Sequence, residues 1–361
     1  MTIAFDAINI KSGGGIKHIN ELLKNKKKIN RKIIIWGNKK VLKQLPNKKN
    51  LKKIHKPFFE NYFFTIIWKT IFFRHELKKY NCKIVILLSG WGFVGKIKSI
   101  SIFQNMLPFS YKELEKYNFS IFKFKMIILK KLLRYSFTKA IGIIFLSKFA
   151  RDKILKKRKN VKHKVINHGI EITSFSQKKN KKNIKLVYVS NTDPYKNHIF
   201  LINGINKLSL KNKVSIYFIG EKGYCHNEVS ERINTFNKTN RNIKIIFSGP
   251  KKFRFLREIY AKSDGMIFAS TCENFPNIIL EGMSYKLPIL CPNIRPLNEI
   301  IGKNDFYYNF KNVKSLKKKM YEFINNNKLR KINGKRNFIR AEKFKWSRTS
   351  DQTFSFIENF L

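Results

Sequence analysis

Short apolar runs alternate with helix-like segments along this chain, and the alternation begins twice. Strand-like runs lie at residues 3–8, 32–36, 83–88, 99–103, 140–146 and 165–167, with helices after the first run and over 147–155. A polar stretch without periodicity, SQKKNKKN, follows at 176–183. The pattern then restarts, with strands at 185–189, 214–219, 243–247, 265–269 and 288–291 and helices at 198–208, 253–261, 277–283, 313–325 and 347–361. Strands separated by helices point to a parallel, doubly wound sheet. Two such α/β units in tandem place the natural binding site in the cleft between them. The expected boundaries are 1–172 and 173–343, with a closing helical segment at 344–361.

A chain of 361 residues, 43% of them apolar, can fill two cores. Its formal charge of +54 would by itself suggest nucleic acid or an anionic membrane. Only 14 of the 76 basic residues are Arg, however, and nucleic-acid sites favour Arg for its bidentate fork. Lys, Asn, Ile and Phe are all over-used and all have A/T-rich codons, so codon bias accounts for most of the charge. Attraction to anionic lipid headgroups is a secondary benefit, and no nucleic-acid partner is expected.

Cys82, Cys225, Cys272 and Cys291 form no CxxC pair, which fits free thiols in a reducing compartment. The N-terminus, MTIAFDAINIKSGGG, lacks the basic and apolar regions of a signal peptide. No run reaches the ~18 apolar residues of a spanning helix, and the nearest, 58–73, is broken by Glu60 and Lys69. The expectation is a cytoplasmic chain, at most peripheral to a membrane. The segment 119–139 mixes Phe, Ile, Leu and Met with Lys123, Lys125, Lys130, Lys131 and Arg134. It reads either as a lipid-docking surface or as a packed helix with a solvated lysine face. The spread of its apolar residues around more than one face favours the packed helix.

Three constellations can carry chemistry. Gly13-Gly14-Gly15 sits between the first strand and its helix, where backbone amides can approach a phosphate, although a tight turn explains it equally. It is not G-x-G-x-x-G, so no dinucleotide fingerprint is present. VSNTDPYKNH (189–198) puts Lys196 after a strand and an Asp-Pro turn, where it can neutralise a diphosphate. Finally, Glu273 and Glu281 flank a Phe-Pro-Asn turn at the start of a helix. Carboxylates accept from sugar hydroxyls, and amides at a helix N-terminus hold phosphate. A helix cap with a chance surface glutamate has the same spacing. The histidines form no triad; His18, His168 and His198 read as structural.

The motifs resemble the retaining glycosyltransferases of family four, which have the GT-B fold, and most resemble bacterial members that build envelope polysaccharide and lipopolysaccharide. The similarity runs through the glycine loop with His18, FLSKFARDKI (145–154), NHGIE (167–171), VSNTDPYKNH, YFIGEKG, FSGP, ENFPNIILEGMSYKLPIL and the closing FKWSRTSDQTFSFIENF (344–360). It implies two Rossmann-like domains facing across a cleft. It also implies that Glu273 contacts the donor sugar and Glu281 the ribose. Asn274, Phe275, Pro276 and Asn277 would present amides to the sugar and diphosphate. Lys196 would neutralise the leaving diphosphate, which Gly14 and Gly15 would approach from the other domain. Two positions depart from the family pattern. Asn191 stands where the family often has Arg, and Asn105 lies where many members have a His; Asn105 can hydrogen bond but cannot take a proton.

The implied reaction moves a sugar, with retention, from a nucleotide diphosphate donor to a lipid-linked or glycan acceptor. No acidic DxD-type cluster is evident, so neither a metal nor a cofactor is expected. Two rivals differ in chemistry. A nucleotide-sugar epimerase on the same fold would convert the donor without an acceptor. A basic nucleic-acid-binding protein would bind with steep salt dependence and ignore Glu281.

Overall fold

A computed structural model describes residues 1–10, 13–26, 30–156, 161–172, 183–206, 208, 210 and 212–361. The linker expected at 176–183 lies outside the described residues except for Asn183, as do Lys11 and Ser12 beside the glycine loop. The chain divides into two compact units. The first comprises Met1–Phe109, Phe124–Gly169 and Phe344–Leu361; the second comprises Ser110–Lys123 and Ile170–Lys343. Ser110–Lys123 thus groups with the second unit, although the sequence boundaries put it within 1–172.

The first unit holds β1 (Thr2–Ala7), β2 (Lys32–Gly37), β3 (Leu51–Ile54), β4 (Cys82–Leu87), β5 (Lys98–Phe103), β6 (Gly142–Phe145) and β7 (His163–Val165). They form one sheet in the order β3-β2-β1-β4-β5-β6-β7, and every pairing is parallel. All six residues of β1 are buried, and Ile3 lies beside Ile33 on one side and Ile84 on the other. A strand apolar on both faces needs helices over both, which is why these runs do not alternate with polar residues. The closing helix Trp346–Glu358 supplies part of that cover. Its Ser350 hydroxyl donates to the Leu22 carbonyl at 2.8 Å, and Phe354 lies 6.2 Å from Phe5, centroid to centroid.

The second unit holds β8 (Asn183–Val189), β9 (Lys213–Ile219), β10 (Ile243–Phe247), β11 (Gly265–Ile267), β12 (Ile289–Pro292) and β13 (Tyr307–Tyr308). Their order is β10-β9-β8-β11-β12-β13, again all parallel. The strand order reverses between β8 and β11. The connections after those two strands lead to opposite sides of the sheet, to β9 and to β12, and such a switch point is the usual ligand position in these sheets. Lys196 and Glu273 are on those connections.

Several elements differ from the sequence reading. The edge strand β3, LKKI, carries too few apolar residues to signal itself and pairs only with β2. The sixth expected strand begins two residues early, at His163, and ends at Val165; beyond it Asn167 donates its side-chain amide to the Leu146 carbonyl at 2.7 Å. Among the helices missed are His226–Thr239, whose stripe is narrow (Val229, Ile233 and Phe236), and Asn327–Ala341, which carries no strong one. The second buries Arg330, Asn333 and Asn337, which hydrogen bond to backbone and side chains in place of apolar packing. Helix Ile121–Lys139 buries only Leu133, Ser136 and Phe137, so the packed-helix reading of 119–139 holds for its C-terminal turns and not for its N-terminal half.

Lys69, taken from sequence as a break in an apolar run, is fully buried on helix Tyr62–Ile71. Its ammonium sits 2.6 Å from the equally buried Asp6 carboxylate of β1, donates to the Trp91 carbonyl at 2.9 Å and lies 3.9 Å from the Trp91 ring centroid. Burial lowers the Lys69 pKa despite the opposing pull of Asp6.

Candidate active site

The loop after β8 is built to aim one lysine. Pro194–Lys196 forms a single 3-10 turn, and Asn197 follows in the left-handed region at φ 54°. Asn is among the few residues that tolerate this conformation at little cost. Its amide donates to the Ala269 carbonyl at 2.9 Å, the Thr271 hydroxyl at 3.0 Å and the Tyr195 carbonyl at 3.0 Å. The Thr271 amide returns a bond to the Tyr195 carbonyl at 3.0 Å. These bonds tie the loop after β8 to the loop after β11. Tyr188 fixes Lys196 from below, its hydroxyl donating to the Lys196 carbonyl at 2.6 Å.

The result is a short ion pair, Lys196 Nζ to Glu273 Oε1 at 2.6 Å, with 14% and 15% of the side chains exposed. Burial works against the ammonium, but Glu273 with the help of Tyr188 outweighs it, and the Lys196 pKa ends above its ordinary value. A permanent cation therefore stands at the carboxyl end of the sheet. Its bond to Glu273 holds the ammonium in one place rather than leaving it mobile.

Beyond Glu273, helix Asn277–Ser284 starts at the β11 loop. Its N-cap position is Pro276, which has no side-chain acceptor to offer the first turn. Asn274 and Phe275 are buried in the approach to it. Glu281, the fifth residue of the helix, is 8% exposed and accepts from the Tyr260 hydroxyl at 3.1 Å. Gly282 lets this helix lie against β11, since a Cβ there would come within 2.6 Å of the Met266 sulfur. The two glutamates thus have separate partners, Glu273 the lysine and Glu281 a tyrosine. Burial, reinforced by Glu281, raises the Tyr260 pKa well above its usual value, so the phenol remains a donor at neutral pH.

The other expected site residues are placed as follows. The Asn191 amide donates to the Asp193 carboxylate at 2.7 Å. In the first unit, Gly13 takes a positive φ and Gly14 and Gly15 begin helix Gly14–Asn25. A Cβ on Gly15 would meet Ile10 at 3.0 Å. Asn105 accepts from the Leu107 amide at 3.1 Å, so its carbonyl caps a 3-10 turn. His18 lies buried with its ring centroid 4.5 Å from that of His168 and its Nδ1 3.1 Å from the Gln104 amide nitrogen. Burial, together with His168, holds its pKa well below the usual imidazole value. Asn197 and Tyr260 were not singled out from sequence. The Asn directly after Lys196 was a usable sign of a left-handed residue; nothing in sequence linked Tyr260 to Glu281.

His198 is a core residue, stacked 4.8 Å from the Tyr188 ring, and neither ring nitrogen has a hydrogen-bond partner among the described residues. Burial and the Lys196 charge push its pKa down to about 3. Between that value and the ~6.5 of an unfolded histidine, only the unfolded chain binds the proton. Stability contributed by neutral His198 is therefore complete above pH 6.5 and is lost as pH falls toward 3. Melting temperatures taken from pH 7 to 4 should fall less steeply for His198→Phe than for wild type; equal slopes would contradict this.

Residues 169–338 match the model of the family described as glycosyl transferases group 1. That match lies almost wholly within the second unit. Lys196, Glu273 and Glu281 all fall inside the matched span. An uncharacterized glycosyltransferase of Methanocaldococcus jannaschii is 26% identical over 217 residues, which is 60% of this chain and 58% of that protein. The capsular polysaccharide biosynthesis glycosyltransferase CapH of Staphylococcus aureus is 26% identical over 189 residues, 52% of this chain and 51% of its own. The chain thus spans just over half the length of these curated relatives. Anabaena HepE, solved in complex with UDP and glucose, superposes with a TM-score of 0.72 over 99% of this chain and 100% of its own, at 15% identity. The fold is that of the GT-B glycosyltransferases, with a Rossmann-like sheet in each unit.

Proposed function

We propose that the chain transfers a sugar, with retention, from a nucleotide diphosphate donor to a lipid-linked or glycan acceptor in envelope polysaccharide synthesis. The observation that carries this is the 2.6 Å pair of Lys196 and Glu273 beside the N-terminus of helix Asn277–Ser284, inside the span that matches the group 1 family. Lys196 and the helix amides face the diphosphate and stabilise it as it leaves. Glu273 accepts from the sugar hydroxyls, and Glu281, held by Tyr260, from the ribose. The bond from the anomeric carbon to the phosphate oxygen breaks, and the acceptor oxygen bonds to that carbon from the same face. The leaving phosphate takes the acceptor proton, so no strong protein base is required, and Asn105 need only hydrogen bond. HepE with UDP and glucose and CapH in capsule synthesis support the donor class and the pathway class.

The reaction needs no metal in this reading, because Lys196 supplies the charge opposite the diphosphate. Among the described residues, no group of three or more His, Cys, Asp or Glu could hold a metal ion. No helix among the described residues is long and apolar enough to cross a membrane. The proposed location is the inner face of the cytoplasmic membrane, held peripherally where lipid-linked acceptors are presented. The test is release of nucleoside diphosphate from UDP-, GDP- and ADP-sugars by purified protein with a lipid-linked acceptor, with and without EDTA. Acceptor-dependent release, unchanged by EDTA and giving a product of the donor's anomeric configuration, is expected. Conversion of the donor sugar without acceptor would instead establish the epimerase.

A further inference from the structure

The helix Tyr62–Ile71 is built inside out. Its buried residues are Thr65, Trp68 and Lys69, while Phe63, Phe64 and Ile67 are 66%, 54% and 37% exposed. A surface helix of a globular protein normally has the opposite distribution. The buried Lys69–Asp6 pair holds the helix in this orientation. Helix Ile121–Lys139 behaves alike: Phe124, Ile127 and Ile128, on one helical stripe, are 63%, 40% and 39% exposed. Lys125 of the second helix reaches to 5.7 Å from the Tyr62 ring centroid, so the two helices meet within the first unit. Neither helix contains Asp or Glu, and Lys125, Lys130, Lys131 and Arg134 stand among the exposed apolar residues of the second.

We infer that these two helices form a docking surface for an anionic phospholipid bilayer. Aromatic and aliphatic side chains enter the interface, and the cations meet the headgroups, the combination that holds monotopic proteins on membranes. Charge complementarity favours this occupant over a second copy, which would bring the same lysines against these. The inference gives the peripheral placement proposed above a surface. It needs neither donor nor acceptor, so its failure leaves the sugar-transfer reading standing, and the reverse also holds.

The test is co-sedimentation of the full chain with phosphatidylcholine vesicles, with and without about one-third phosphatidylglycerol. Binding to anionic vesicles should exceed binding to neutral ones by at least ~ten-fold and weaken with salt. Phe63→Ser/Phe64→Ser/Phe124→Ser and Lys125→Gln/Lys130→Gln/Lys131→Gln should each lower it by about ten-fold or more, with melting temperatures close to wild type because none of these residues is buried. Undiminished binding by the Phe variant would overturn the inference, since the attachment would then be charge alone. Concentration-dependent dimers in the absence of lipid, abolished by the Phe substitutions, would assign the face to self-association instead.

Discussion

Lys196→Ala should lower sugar transfer by about 10²–10³-fold in kcat, with a much smaller change in donor KM. The lysine lies against Glu273, and in the proposed reaction it would meet its full electrostatic demand only as the diphosphate gains charge on leaving. An interaction that strengthens toward the transition state appears in kcat rather than in ground-state binding. Lys196→Arg should not restore the rate, because a planar fork cannot occupy the position of a compact ammonium 2.6 Å from one carboxylate oxygen. Removing the lysine also leaves Glu273 without its cation, which by itself disturbs the loop. Lys196→Ala/Glu273→Gln separates the two effects. If the rate loss came only from the stranded carboxylate, the double variant would be as active as Glu273→Gln alone; the leaving-group role requires that it be further impaired than that single variant. The melting temperature of each variant distinguishes loss of chemistry from loss of fold.

Lys69→Ala is expected to cost about 3–5 kcal/mol of stability. Both partners of this pair have no exposed side-chain surface, and Asp6 would be left as an uncompensated charge beneath the sheet's carboxyl edge. Asp6 also accepts from the Ile8 amide at 3.2 Å, a bond that its neutral analogue can keep. Asp6→Asn/Lys69→Met should therefore recover most of the loss, because both charges leave together. Urea unfolding followed by tryptophan fluorescence suits this site, since Trp91 lies directly under the ammonium. A single variant as stable as wild type would mean that water reaches Asp6. A double variant no more stable than the single would mean that the cost is lost packing around the lysine stem.

The fold was legible where physics acts locally. Fully buried parallel strands such as β1 are mostly apolar and do not alternate with polar residues, and helix Val313–Asn325 shows its period and its Asn312 cap. Legibility failed where tertiary contacts substitute for pattern. Helix Asn327–Ala341 buries Arg330, Asn333 and Asn337, whose bonds to distant backbone no local window contains. Lys69 looked like an interruption because its partner, Asp6, lies 63 positions away. In the second unit's site, residue type and order pointed to Lys196, Glu273 and Glu281. The parts that hold them, Asn197 across the two loops and Tyr260 under Glu281, depend on loop geometry that residue spacing does not encode. The exposed apolar helices were misread for a related reason: composition records how many apolar residues a helix has but not which face it turns inward.

The central claim is that Lys196, Glu273 and Glu281 make one nucleotide-sugar site. Calorimetric titration of UDP, GDP and ADP into wild-type protein, Glu281→Ala and Lys196→Ala tests it most directly. One of the three nucleotides should bind the wild type with a defined stoichiometry, and Glu281→Ala should weaken it by about ten-fold or more through loss of the ribose contact. Lys196→Ala should weaken it as well, because a free nucleoside diphosphate already carries the charge that the leaving group acquires. Binding that is indifferent to Glu281, or no binding of any of the three, would contradict the assignment.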